Sequence, residues 1–133
     1  MKSKRINGHG YEEWKLPNGK FHREDGPALE YINGNKLWYI NDELHRENGP
    51  AREYVNGDKE WYVNGQRHRE DGPAVECING RKEWWLNDLR HREDGPAIDN
   101  GDDYKWWYIN GKQYTEPEHK HEIRSIKLLK LLK

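Results

Sequence analysis

The chain is poor in nearly everything from which a thick core or a hydroxyl-based active site is built. Leu, Ile, Val and Phe together supply only 22 of 133 residues. So small an aliphatic share would mark disorder if the net charge were high. It is not: 23 Lys and Arg stand against 24 Asp and Glu, a formal charge of -1. That balance leaves no cationic excess to displace counterions from a duplex. Hydroxyl nucleophiles are nearly missing, since Ser3, Thr115 and Ser125 are all the Ser and Thr there are. A lone Cys77 excludes an internal disulfide and a cysteine zinc cluster. No apolar run lies between Met1 and Trp14, so no signal peptide is expected. The longest apolar stretch, Trp106 to Ile109, falls far short of the ~20 residues of a membrane span. These absences point to a soluble protein of a reducing compartment, the cytoplasm, without a cofactor.

What is present is aromatic and periodic. Seven Trp and eight Tyr must supply most of the burial, each ring removing roughly 150–250 Å² from water. His-Arg-Glu-Asp-Gly-Pro-Ala starts at His22, His68 and His91, with an Asn variant at His45, and these starts are 23 residues apart. Trp38, Trp61, Trp84 and Trp107 keep the same period, each followed by Tyr or Trp, an aliphatic residue and Asn. Asn-Gly recurs at Asn33, Asn56 and Asn79. Three blocks in one phase make a tandem repeat. Both ends are irregular, as terminal units facing water should be: Pro17 interrupts the first unit, and Tyr114 replaces the His of the last.

Twelve of 13 glycines follow Asn or Asp, pairs suited to the I′ turns that join antiparallel strands. Between them lie short segments of β-formers. Each unit therefore reads as a hairpin, with a first strand over 59–63, a second over about 73–78, and a linker over 64–72 holding the His-Arg corner. Pro73 suits the start of a strand and not its middle. Two strands per unit, about 4.8 Å apart, give a rise of about 10 Å. The expected fold is all-β: an elongated, twisted antiparallel meander, a solenoid of 23-residue hairpin repeats ending in a short helix. Residues 1–114 would form about four full repeats plus an irregular N-terminal unit, and 115–133 the helix.

The sequence resembles the membrane occupation and recognition nexus (MORN) repeats. The match lies in Trp61-Tyr62-Val63-Asn64-Gly65-Gln66-Arg67-His68 and in the segment from Gly72 to Gly80, and it extends over roughly residues 11–114. It departs at the corner, where Arg69-Glu70-Asp71 replaces the glycine after His. It is most similar to the divergent Trp-Tyr-x-Asn-Gly…His-Arg-x-Asp-Gly-Pro-Ala type seen in phage and giant-virus proteins. The resemblance implies a hairpin scaffold that offers a contact surface and, if the source is viral, a host protein as partner and the host-cell cytoplasm as location. Fold-level likeness alone does not assign a function.

Candidate chemistry is repeated rather than convergent. His22, His45, His68 and His91 invite a metal reading, but equivalent residues about 10 Å apart cannot share one ion that needs each ligand at about 2 Å. The alternative is a turn in which His and Arg bond to carbonyls. Arg23, Arg46, Arg69 and Arg92 form a ladder beside Glu24, Glu47, Glu70 and Glu93, with a second acid row at Glu30, Glu53, Glu76 and Asp99. Either the ladder satisfies itself, or Arg forks and turn amides capture anions. Trp38 and its equivalents point to the face opposite Tyr39, Tyr62, Trp85 and Tyr108. One row packs, and the other could be a platform for a partner protein, sugars or bases. Arg52, in place of Leu29, Val75 and Ile98, suggests that its face meets water, together with Tyr31 and Tyr54. Cys77 stands where two units have Tyr, which reads as a packing variant.

In the tail, Thr115 with Glu118 forms a capping box and Pro117 fits the first turn. Leu128, Leu129, Leu131 and Leu132 cluster away from Lys127, Lys130 and Lys133. Such a helix would cap the last hairpin's open edge, pair with a second copy or a partner helix, or lie on a membrane surface. The functional expectation is a non-enzymatic protein-interaction scaffold. The alternative is a binder of phosphorylated small molecules or single-stranded nucleic acid. The candidate contact residues are His45, Arg46, His68, Arg69, His91, Arg92, Tyr39, Tyr62, Trp85 and Tyr108. A homodimer through the helix or an edge strand is a further expectation.

Overall fold

A computed structural model describes residues 3–6 and 10–132. Eleven strands form one open antiparallel sheet. In spatial order they are Ser3–Ile6, Tyr11–Lys15, Leu29–Tyr31, Lys36–Leu37, Arg52–Glu53, Lys59–Glu60, Val75–Glu76, Lys82–Glu83, Ile98–Asp99, Lys105–Ile109 and Lys112–Tyr114. Three further two-stranded hairpins interrupt this order: Tyr39–Ile40 with Glu43–Leu44, Tyr62–Val63 with Gln66–Arg67, and Trp85–Leu86 with Leu89–Arg90.

The expected single strand over 59–63 is thus split at Trp61, and the expected linker over 64–72 contains a strand of its own. The cause lies in the backbone of the Trp residue. Trp61 N–H donates to Ala74 O in the large sheet, while Trp61 O accepts from His68 N–H beyond the small hairpin. The same pair of bonds recurs at Trp14, Trp38 and Trp84. Neighbouring hairpins are stitched together as well: Arg46 N–H donates to Tyr62 O, and Gly65 N–H to Leu44 O.

The glycines fall into classes that a uniform I′ expectation does not separate. True I′ geometry, with two consecutive positive φ values, occurs at Asn41-Asp42, Asn64-Gly65, Asn87-Asp88 and Asn110-Gly111. At Gly34, Gly57 and Gly80 only the glycine is left-handed, at φ 104, 103 and 96°. These are three-residue loops, a type I turn closed by a left-handed glycine. The corner glycines Gly26, Gly49, Gly72 and Gly95 have no positive φ at all, and their role is spatial.

Register gives the two sheet faces different chemistry. On one face charges alternate across the strands: Glu30 opposite Lys36, Lys36 opposite Glu53, Glu53 opposite Lys59, and Lys59 opposite Glu76. Glu76, Lys82, Asp99 and Lys105 continue the series. Directly opposed unlike charges stabilise a ladder, and a slip of one residue would break every pair. The other face carries Leu29, Leu37, Arg52, Glu60, Val75, Glu83, Ile98 and Trp106 in one cross-strand row.

The core is thin. Ala28, Ala51, Ala74 and Ala97 are fully buried, joined by Leu29, Tyr62, Ile98, Ile109 and Ile123. The Trp row is half-buried. A helix over Glu116–Leu131 follows the last strand, with Thr115 as N-cap and both capping-box bonds present. It packs on Lys105–Ile109 and Lys112–Tyr114 through Ile123 and His119, and His119 Nε2 bonds Arg92 O at 2.7 Å. The leucine cluster does not make this contact. Lys130 reaches towards Glu93 at 4.0 Å, and Leu128, Leu129, Leu131 and Leu132 are exposed. Among the described residues no helix is long and apolar enough to cross a membrane.

Candidate functional site

The His-Arg corners are joints between units. Nδ1 of His22, His45, His68 and His91 accepts the backbone N–H of Asn41, Asn64, Asn87 and Asn110 at 3.1, 3.0, 3.0 and 2.9 Å. An Nδ1 that accepts carries no proton, so the ring's N–H is at Nε2. That atom faces the glutamate two residues on, at 3.5 Å for His68 and Glu70. Among the described residues, no group of three His, Cys, Asp or Glu side chains is placed to hold a metal.

Arg69 is held by a ring, a carboxylate and a carbonyl. Its guanidinium lies 3.9 Å from the centroid of Trp61. Nε bonds Asp71 at 3.0 Å and Nη1 donates to Pro73 O at 3.0 Å. Arg46 over Trp38 and Arg92 over Trp84 repeat the stack, at 3.9 and 3.7 Å, as does Arg23 over Trp14 at 3.9 Å. The opposite side of each guanidinium is closed by the corner glycine. A Cβ there would stand 2.7 to 3.1 Å from the arginine Cζ. A shallow groove separates each corner from the next, lined between the second and third by Arg46, Glu47, Trp61, His68, Glu70 and Asp71. The grooves carry carboxylates, and their arginines already have partners.

The second aromatic row is different. Tyr62 bonds Glu60 at 3.0 Å, and Trp85 Nε1 donates to Glu83 at 3.0 Å. Between the rings stand arginines absent from the expected site. Arg67 lies 5.5 Å from Tyr62 and 5.2 Å from Trp85. Arg90 lies 4.8 Å from Trp85 and 5.5 Å from Tyr108. Tyr39, at the other end, packs against Phe21 at 5.4 Å. Position by position, Phe21, Leu44, Arg67 and Arg90 are equivalent, so the row changes from apolar to cationic along the sheet. The residue before each His carried this signal in the sequence.

These cations are weakly matched. Glu60 stands 3.5 Å from Arg52 and 3.8 Å from Arg67, serving both. Glu83 is taken by Arg81 at 2.8 Å. Among the described residues Arg90 has ring contacts and no carboxylate partner. Nε of Arg52, Arg67 and Arg90 is buried without a hydrogen-bond partner, an unusual state for so polar an atom. Burial, the Glu60 charge and the bond to Glu60 push the Tyr62 phenol up to about 12. Burial and nearby acids raise the Cys77 thiol, the reverse of an activated nucleophile.

The ten expected contact residues therefore divide. His45, Arg46, His68, Arg69, His91 and Arg92 are joints between and within units. Tyr39, Tyr62, Trp85 and Tyr108 line the other face, where Arg67 and Arg90 join them. No protein-family model matches the chain, and no curated protein or solved structure does either.

Proposed function

We propose that the chain is a non-enzymatic, MORN-like repeat scaffold that binds a protein partner through its cation–aromatic face. The observation that carries this reading is the row Arg67, Trp85, Arg90 and Tyr108 beside the buried Tyr62, in which each arginine touches two rings and, among the described residues, Arg90 has no carboxylate partner. Trp, Tyr and Arg are the side chains richest in interface hot spots. A repeat supported by bonds at 23-residue intervals offers such groups in series, which suits an extended contact better than a reaction centre. Tyr62 and Trp85 are already covered by guanidinium groups, so within the row bases have few free faces to stack upon. This favours a protein over single-stranded nucleic acid.

The test is selection from a random peptide display library on the full chain and on an Arg67→Gln/Arg90→Gln variant with an unchanged melting curve. Acid-rich peptides enriched on the first and lost on the second support the reading. Equal enrichment on both refutes it.

A further inference from the structure

We infer that the partner segment is an acidic polyproline II strand with a carboxylate at every third residue. This deepens the proposed function and rests on it. The inference starts from spacing. Arg67 and Arg90 both lie on Trp85, at 5.2 and 4.8 Å from its centroid. Contact with one ring keeps their guanidinium carbons within about 10 Å of each other, and as equivalent residues of successive units they are set about two strand widths, ~10 Å, apart. A polyproline II helix has three residues per turn and rises about 3.1 Å per residue, so equivalent side chains recur on one side every ~9.3 Å. A β-strand fits this pitch badly, because its third residue points to the opposite face.

The chemistry agrees with the spacing. Among the described residues Arg90 has no carboxylate partner, and Arg67, 3.8 Å from Glu60, shares it with Arg52, so both favour an anionic partner. A guanidinium fork grips a planar carboxylate through two parallel N–H bonds. Between acids, such a segment presents proline rings, and aromatic surfaces are the usual seat for them. Trp106 and Tyr108 share a face of the unbroken strand Lys105–Ile109, and Trp106 is 45% exposed, so an open ring stands beside the Arg90 end of the row. A stiff segment also loses little conformational entropy on docking, which suits an open sheet face.

The experiment measures fluorescence anisotropy of labelled twelve-residue peptides with the full chain. One peptide repeats Glu-Pro-Pro, one repeats Lys-Pro-Pro, and one has the composition of the first with its acids in a single block. Glu-Pro-Pro should bind, weaken as salt rises, and exceed the block isomer roughly tenfold. Lys-Pro-Pro should not bind. Arg67→Gln/Arg90→Gln should lose that binding. Should that variant melt early, the isomer comparison on the unaltered chain still decides the matter. Equal binding of the two acidic isomers, or no binding of either, overturns the spacing inference. The proposed function then stands or falls by the display selection alone. Preference of the same arginines for a single-stranded oligonucleotide over every peptide overturns both.

Discussion

Replacing Gly26 by alanine tests whether the corner glycines serve the arginine beside them or the turn they belong to. A Cβ at Gly26 would stand 2.7 Å from Arg23 Cζ, 2.9 Å from Nε and 3.0 Å from Nη2. Side chains do not pack that closely, so the guanidinium must leave its seat. There it stacks 3.9 Å from Trp14 and donates to Pro27 O at 3.2 Å and to Asp25 at 3.0 Å. The stack is worth about 1 kcal/mol at a half-buried site. The bond to the carbonyl adds about 1 kcal/mol, and the pair with exposed Asp25 adds little. Against this, Gly26 has no positive φ, so alanine also removes unfolded-chain entropy worth about 0.4–1 kcal/mol. Gly26→Ala should therefore destabilise by about 1–1.5 kcal/mol.

In an Arg23→Ala background the sign should reverse. With the guanidinium gone, nothing opposes the Cβ, and Gly26→Ala should stabilise by about 0.4–1 kcal/mol. The coupling energy of the cycle is then about 2 kcal/mol. Urea unfolding of the four proteins, followed by tryptophan fluorescence and far-UV circular dichroism, reads it directly. Gly72 provides a graded control, since its Cβ would meet Arg69 Cζ only at 3.1 Å, and the effect there should be smaller. Equal costs of Gly26→Ala in both backgrounds would refute the reasoning and assign the glycine to the turn.

His68→Ala should speed amide exchange at Asn87, whose N–H bonds His68 Nδ1, and leave Asn64 unchanged; the stability cost should be about 1 kcal/mol. Trp61→Ala removes a half-buried indole and the seat of Arg69, and should cost about 3 kcal/mol in thermal or urea unfolding. Tyr62 holds its proton more tightly folded than unfolded, with a value of about 12 against 10.0. Its contribution is whole below pH 10 and fades as pH rises towards 12, a loss of about 1–2 kcal/mol after solvent screening that Tyr62→Phe should abolish in alkaline unfolding curves. Glu118 shows the opposite sign: hydrogen bonds from the Thr115 backbone and side chain lower its value. The capping box therefore contributes above the usual glutamate range and is lost on acidification, so helicity should fall at low pH less in Thr115→Ala than in the unaltered chain.

The antiparallel hairpins and the C-terminal helix were legible because the Asn-Gly and Asp-Gly pairs and the Thr115–Glu118 box are local signals. What escaped was non-local. Nothing near Trp61 tells its N–H to pair with Ala74 and its carbonyl with His68, so the strand looks continuous in the sequence. Asp71-Gly72 and Asn64-Gly65 look like the same turn pair, yet one glycine has φ 78° and the other makes room for a guanidinium. Arg69 and Arg67 are two residues apart and chemically identical, and only their surroundings separate a cation bonded to Asp71 and Pro73 from one sharing a carboxylate. Repetition draws the eye to Arg69, whereas Arg67 stands at a position that varies from unit to unit. A residue repeated in every unit, such as His68, Arg69, Gly72 or Ala74, is the kind that every joint needs. A surface that selects a partner must differ from unit to unit, and Phe21, Leu44, Arg67 and Arg90 do so at one position. Where a sequence keeps a 23-residue period, the positions at which the period fails are therefore the ones to search for binding.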